Sequence, residues 1–197
     1  SIDNYIKKIL LVSDNDAYSR LYEFLGQGYI NRSLHNMGYN DARITLRFTP
    51  MTSEENRHAN PINFLGPNGK TLYHQPAAFN KDSFDFSHII KMGKGHWNSN
   101  DSLINQPMDF TRANNISLED LQQIEQSVLF PSSVPQKQRF DLKKDDLQFL
   151  YKWMSQYPSE TNYPFYDSSI YYNSFVKMYF KAGGHQLPDN IREFNKP

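Results

Sequence analysis

The chain has 197 residues, enough for one domain with its own hydrophobic core. Lysine plus arginine and aspartate plus glutamate both number 21, so the chain lacks the basic surplus typical of nucleic-acid-binding proteins and the acidic surplus of a solvating tail. Cysteine is absent, which excludes a disulfide framework, a thiolate metal site and a cysteine nucleophile, and no apolar stretch has the length of a transmembrane helix.

Three helices are predicted at the start of the chain from apolar residues at helical spacing. The first covers about residues 1–12, and Ser13-Asp14-Asn15 interrupts the pattern. The second covers about residues 16–25, and a glycine break at Gly26-Gln27-Gly28 separates it from a third over about residues 29–37.

The middle of the chain loses this helical period. Ile44, Leu46 and Phe48 alternate, in a run short enough to be either a strand or an extended loop. Gly66-Pro67-Asn68-Gly69 predicts the turn of a small β-hairpin. Residues 56–116 are long for a connection, so we interpret them as an irregular, functional or family-specific insertion.

Helical spacing returns at Ser117, which is placed to cap a helix that Pro131 ends. Its predicted inward face consists of Leu118, Leu121, Ile124, Val128 and Leu129. A further helix begins near residue 141 or 142 and runs to about Met154. An aromatic helix follows over residues 170–180, and residues 191–194 could begin a strand.

Four motifs resemble the class A β-lactamases and their penicillin-binding serine-hydrolase relatives. They are Ser13-Asp14-Asn15 between two helices, the run Leu34-His35-Asn36-Met37-Gly38, the segment Arg47-Phe48-Thr49-Pro50, and the dipeptide Trp153-Met154. The likeness is closest over about the first fifty residues. It implies a mainly α chain that forms the helical subdomain of the β-lactamase/transpeptidase-like α/β fold.

On this reading residues 1–197 form one helical subdomain of a larger serine hydrolase. Residues 1–55 hold the Ser-Asp-Asn and Ω-like region, and residues 56–116 are the insertion. Residues 117–190 supply the C-terminal helices, and residues 191–197 begin the strand that carries the family's lysine motif.

The resemblance implies acyl transfer on a β-lactam, an amide or a cell-wall-type peptide, and it assigns a role to each residue of the motif. Ser13 would carry a proton between the nucleophile or its lysine and the leaving nitrogen. Asn15 would hold the substrate's amide carbonyl, and Asp14 would be structural. Lys196 would supply positive charge to the substrate carboxylate, with Lys181 as the alternative lysine.

The family's nucleophile belongs to a Ser-x-x-Lys motif upstream of Ser-Asp-Asn, and the twelve residues before Ser13 do not contain one. Ser174-Phe175-Val176-Lys177 has the spacing but the wrong chain order, so we treat it as a chance match. The chain alone is therefore expected to be inactive, as the middle part of a longer protein.

The resemblance also exposes one departure from the family. Thr49 stands where class A β-lactamases have the glutamate that activates the deacylating water, and a threonine cannot act as that base. Glu54 or Glu55 could replace it if the loop is remodelled, although solvated loop acids are the simpler interpretation.

Neither a metal nor a cofactor is predicted, because the six histidines are scattered without ligand spacing. The expected partner is a small-molecule or peptide substrate, with no nucleic acid. The family implies a periplasmic or exported location. The alternative function is a non-catalytic peptide- or glycan-binding module on the same scaffold, in which the aromatic residues and the insertion form the binding surface.

Overall fold

The computed structural model describes residues 1–166, and this part of the chain is mainly helical, as the sequence predicts. Short 3₁₀ turns occur at Glu55–Arg57, Pro131–Ser133, Gln136–Gln138 and Pro158–Glu160. The α-helices are α1 (Ile2–Val12), α2 (Asn15–Leu25), α3 (Gln27–Met37), α4 (Leu118–Leu129) and α5 (Lys144–Met154). The predicted helix over residues 170–180 and the predicted strand near residue 191 lie outside the described residues.

All the strands of the described part lie between residues 58 and 109, and they pair as two-stranded antiparallel ladders. The pairs are β1–β4, β2–β3, β5–β8 and β6–β7. The strands are β1 (His58–Ala59), β2 (Ile62–Leu65), β3 (Thr71–Gln75), β4 (Ala78–Phe79), β5 (Lys91–Met92), β6 (His96–Trp97), β7 (Leu103–Ile104) and β8 (Met108–Asp109).

The predicted hairpin is confirmed as β2 and β3, which pair across the turn at Gly66–Gly69. Residues 56–116 hold the whole set of short ladders just given, so the segment contains more strand pairing than the single hairpin that the sequence predicts. The extended segment at residues 44–48 forms no strand; an isolated bridge joins Arg43 to Asn115 beside it.

The chain divides into two compact units. Among the described residues, one comprises Ser1–Tyr22 with residues 126–166, and the other comprises Glu23–Glu125. In the first unit, α1 and α5 are in contact, and Lys7 Nζ lies 4.6 Å from the centroid of the buried Trp153 ring. In the second unit, Tyr39, Ala42 and Ala59 are buried.

Of the two glycines predicted to separate α2 from α3, only Gly26 does so. Gly26 precedes α3 with a φ of 80°, a left-handed value that favours glycine. Gly28 instead lies inside α3 and is buried. A Cβ atom there would meet Asn80 Oδ1 at 2.6 Å and Asp82 Oδ2 at 2.9 Å, so Gly28 is a position of close packing and not a helix end.

The predicted inward face of α4 is wrong for its leucines. Leu118 is 85% exposed, and Leu121 and Leu129 are also exposed. The buried residues of this helix are Asp120 and Ser127. Asp120 Oδ2 accepts a hydrogen bond from the Asp41 N–H at 3.1 Å, so a polar contact, which apolar spacing cannot reveal, determines which side of α4 faces inward.

Candidate functional site

The Ser-Asp-Asn segment forms a tight turn between α1 and α2. Ser13 ends α1 with φ 52° and ψ 46°, and its N–H donates to Ile9 O at 3.0 Å. This left-handed conformation costs a residue with a Cβ atom about 1–2 kcal/mol, and glycine is the usual choice at the end of a helix. Ser13 is exposed, so its hydroxyl is accessible from solvent.

Asp14 fixes the turn from both sides. Its Oδ1 accepts the Ala17 N–H at 2.8 Å, which caps the start of α2. Its Oδ2 lies 3.5 Å from Lys8 Nζ on α1. The Asp14 N–H also faces Lys8 O at 3.4 Å. One carboxylate therefore links the end of one helix to the start of the next.

Asn15 is the first residue of α2, one position earlier than the sequence predicts, and it is exposed. The turn thus presents a hydroxyl and a carboxamide, two groups that can each donate and accept a hydrogen bond. The other predicted site residue, Lys196, lies outside the described residues, as do Lys181 and Ser174.

The Arg47-Phe48-Thr49-Pro50 segment opens a loop in the second unit, residues 47–58, whose ends are held together by buried polar groups. The Arg47 N–H donates to Asn56 Oδ1 at 2.7 Å. The Arg47 guanidinium donates to Glu55 O at 3.1 Å and to His58 O at 2.6 Å. Loops of this length with joined ends are frequently functional.

A buried ion pair supports the start of this loop. Arg47 Nη2 lies 3.7 Å from Glu23 Oε1, and the two side chains are only 4% and 7% exposed. The same Glu23 oxygen accepts from Asn60, through N at 3.0 Å and Nδ2 at 2.7 Å. A buried charge needs such partners, so this arrangement holds the loop through groups that cannot be removed singly without a penalty.

The two candidate bases of the loop differ in their surroundings. The Glu55 carboxylate accepts from Thr52 N at 2.7 Å and Thr52 Oγ1 at 2.8 Å. These hydrogen bonds, the backbone one foremost, lower the pKa of Glu55 below its ordinary value, which makes it a weaker base. Glu54 is exposed, and its Oε1 lies 3.9 Å from His58 Nε2. Thr49 is half-buried.

Sequence reasoning missed Glu23, Asn56 and Asn60. Each is a polar residue that the structure places in the support of the loop, and apolar periodicity gives no signal for such residues. Glu23 directly follows the buried Tyr22 in α2. This neighbour is the one sequence feature that could have indicated that Glu23 is buried.

Residues 1–166 contain no cluster of three or more histidine, aspartate or glutamate side chains arranged to hold a metal ion. Over the same residues, none of the helices has the length and apolar character needed to cross a membrane.

Comparison with known proteins identifies no relative of this chain: no family model, curated protein or solved structure matches it.

Proposed function

We propose that this chain supplies the Ser-Asp-Asn element of an exported β-lactamase-like serine hydrolase, as the helical subdomain of that α/β fold. The enzyme would act by acyl transfer on a β-lactam, an amide or a cell-wall-type peptide. The observation that carries the proposal is the left-handed backbone at Ser13. Strained conformations of non-glycine residues concentrate at active sites, where a side chain is needed that glycine cannot provide.

The chemistry of the turn is compatible with the roles that the resemblance implies. The Ser13 hydroxyl can accept a proton from one group while it donates its own to another, as a shuttle to a leaving nitrogen requires. The Asn15 carboxamide can donate to a substrate carbonyl. Asp14 already uses both carboxylate oxygens within the turn, which agrees with a positioning role. Lys196 would provide positive charge for a substrate carboxylate.

The proposal assigns the nucleophile and its lysine to sequence other than these 197 residues. The chain by itself should therefore turn over no nitrocefin and form no adduct with a fluorescent penicillin. A stoichiometric penicillin adduct on a serine of this chain would contradict that assignment.

In a longer protein that carries Ser-x-x-Lys upstream, Ser13→Ala should slow acylation by about 10²–10⁴-fold, the usual contribution of a positioned proton-transfer group. Ser33→Ala, which changes a serine within α3, is the matched control and should leave the rate unchanged. Failure of the unmodified longer protein to form an acyl-enzyme with any β-lactam or amide ester would contradict the proposed function.

A further inference from the structure

Residues 90–110 form a preorganised hairpin, which we call the arm. One antiparallel register continues through all of its pairs, from Lys91 with Asp109 to Trp97 with Leu103. The Phe110 N–H donates to Ile90 O at 2.8 Å at the base. The Asn98 N–H donates to Ser102 O at 3.0 Å at the tip. The arm can therefore present its side chains in a fixed geometry.

Trp97 and Leu103 form an exposed apolar shelf near the tip of the arm. They are paired directly across the two strands, so they lie on the same face. Trp97 is 67% exposed and Leu103 is 53% exposed. A Cβ atom at Gly95 would lie 3.5 Å from Leu103 Cδ1 and 2.9 Å from the backbone oxygen of Ile104. Gly95 therefore extends the shelf as bare backbone, where a larger residue would not fit.

The surroundings of the shelf are polar and nearly uncharged. Asp101 is the one aspartate, glutamate, lysine or arginine between residues 95 and 106. Amide and hydroxyl side chains fill the tip and its flank, and several are exposed: Ser99, Asn100, Ser102, Asn105 and Gln106. Asn98 Oδ1 accepts from the N–H groups of Asn100 and Ser102, so its amide orders the turn.

We propose that the shelf binds a neutral saccharide chain, with the apolar face of one sugar ring stacked on Trp97 and hydroxyl groups bonded to the neighbouring amides. A ring with apolar C–H faces and a rim of hydroxyl groups matches an exposed indole bordered by amides. A nucleic acid would need a basic surface, which residues 95–106 lack. A bilayer would need an apolar tip, whereas residues 98–102 are all polar. The inference does not depend on the proposed acyl transfer.

The two tryptophans of the chain allow a direct test, because Trp97 is exposed and Trp153 is buried. The tetramer of N-acetylglucosamine and cellotetraose would be titrated into the 197-residue chain. We expect a saturable change in Trp97 emission with at least one of them, isolated in a Trp153→Phe variant. Calorimetry on the unmodified chain provides a second measurement if that variant does not fold.

The matched variants are Trp97→Ala on the shelf and Leu118→Ala, which removes another exposed side chain, on α4. Trp97→Ala should weaken binding at least about tenfold, as expected for loss of an aromatic stacking contact. Leu118→Ala should leave the affinity unchanged. The proposal is overturned if neither tetramer binds at about 10 mM, if Trp97→Ala binds as well as the unmodified chain, or if the arm instead binds phosphatidylglycerol vesicles.

Discussion

Replacing Arg47 by methionine tests whether the buried ion pair supports the second unit. The change removes the charge opposite Glu23 and the hydrogen bonds of the guanidinium, among them those to Glu55 O at 3.1 Å, His58 O at 2.6 Å and Met51 Sδ at 3.4 Å. Glu23 remains buried with Asn60 as its donor. Removing one partner of a buried pair costs about 3–5 kcal/mol, so we expect the free energy of unfolding to fall by about that amount.

Urea unfolding followed by circular dichroism measures this loss, and the melting temperature should fall by roughly 10 °C for a chain of this size. Arg32→Met is the matched control, because Arg32 pairs with Asp82 in a position where both side chains are largely exposed. An exposed pair contributes about 0–1 kcal/mol. A loss in Arg47→Met no larger than that in Arg32→Met would refute the reasoning.

The double variant Glu23→Gln/Arg47→Met provides a second check. Because the first substitution removes the charge that the second would leave unpaired, the double variant should be less destabilised than the sum of the single variants by about 1 kcal/mol or more. Strict additivity would mean that the two groups do not interact across their 3.7 Å separation.

Three further predictions follow from particular residues. Ser13→Gly should raise the free energy of unfolding by about 0.5–1 kcal/mol, measured in urea, because glycine relieves the left-handed strain. Glu55→Gln should be less stable than the unmodified chain at neutral pH; since folding lowers the pKa of Glu55, this difference should disappear as pH falls through that pKa, in urea titrations from pH 7 to acid. Gly95→Ala should speed amide hydrogen exchange at Asn98, since its Cβ would lie 2.9 Å from the backbone oxygen of Ile104.

Each of these variants has a control of similar chemistry. Ser33→Gly lies within α3 and should be destabilising, the opposite sign to Ser13→Gly. Glu54→Gln removes the same charge from the same loop without touching the Thr52 hydrogen bonds. Ser99→Ala changes the open tip of the arm and should leave exchange unchanged. The explanations would be contradicted if Glu54→Gln lowered the free energy of unfolding as much as Glu55→Gln does. They would also be contradicted if Ser33→Gly raised it as Ser13→Gly does.

The sequence predicts the helices and the β2–β3 hairpin because both have local causes. Apolar residues at helical spacing predict α1. The Ser1 side chain caps this helix by accepting the Asn4 N–H at 3.4 Å. The turn residues at 66–69 define the hairpin. The arm has no comparable signal: its strands are two residues long, and glycines at 93 and 95 interrupt the alternation that would reveal it.

The segment at Ile44, Leu46 and Phe48, whose alternation fits either a strand or an extended loop, is an extended loop for a long-range reason. It is held by a side chain and not by a neighbouring strand. Asn114 Oδ1 accepts from the N–H of Thr45 at 2.7 Å and of Leu46 at 2.8 Å, and its Nδ2 donates to Leu46 O at 3.0 Å. A single amide 68 residues away along the chain replaces a neighbouring strand, which no local pattern can predict.

The candidate site, too, could be predicted from the sequence only in part. That Ser13-Asp14-Asn15 interrupts the helices could be predicted, because three polar residues break the apolar pattern there. The left-handed backbone at Ser13 could not, since serine normally avoids that conformation. The acyl-transfer role of the turn stays a prediction.

The loop of residues 47–58 also has a consequence for protein engineering. Asn56 Nδ2 donates to Thr52 O at 2.9 Å, and the Arg47 guanidinium donates to the backbone oxygens of Glu55 and His58. These two side chains therefore hold the loop through main-chain atoms. The side chains of Thr49, Pro50 and Ser53 make no such contact and are therefore open to randomisation as a cassette, with Arg47, Thr52 and Asn56 kept constant. A library built this way would vary the chemistry of the loop while its frame stays the same.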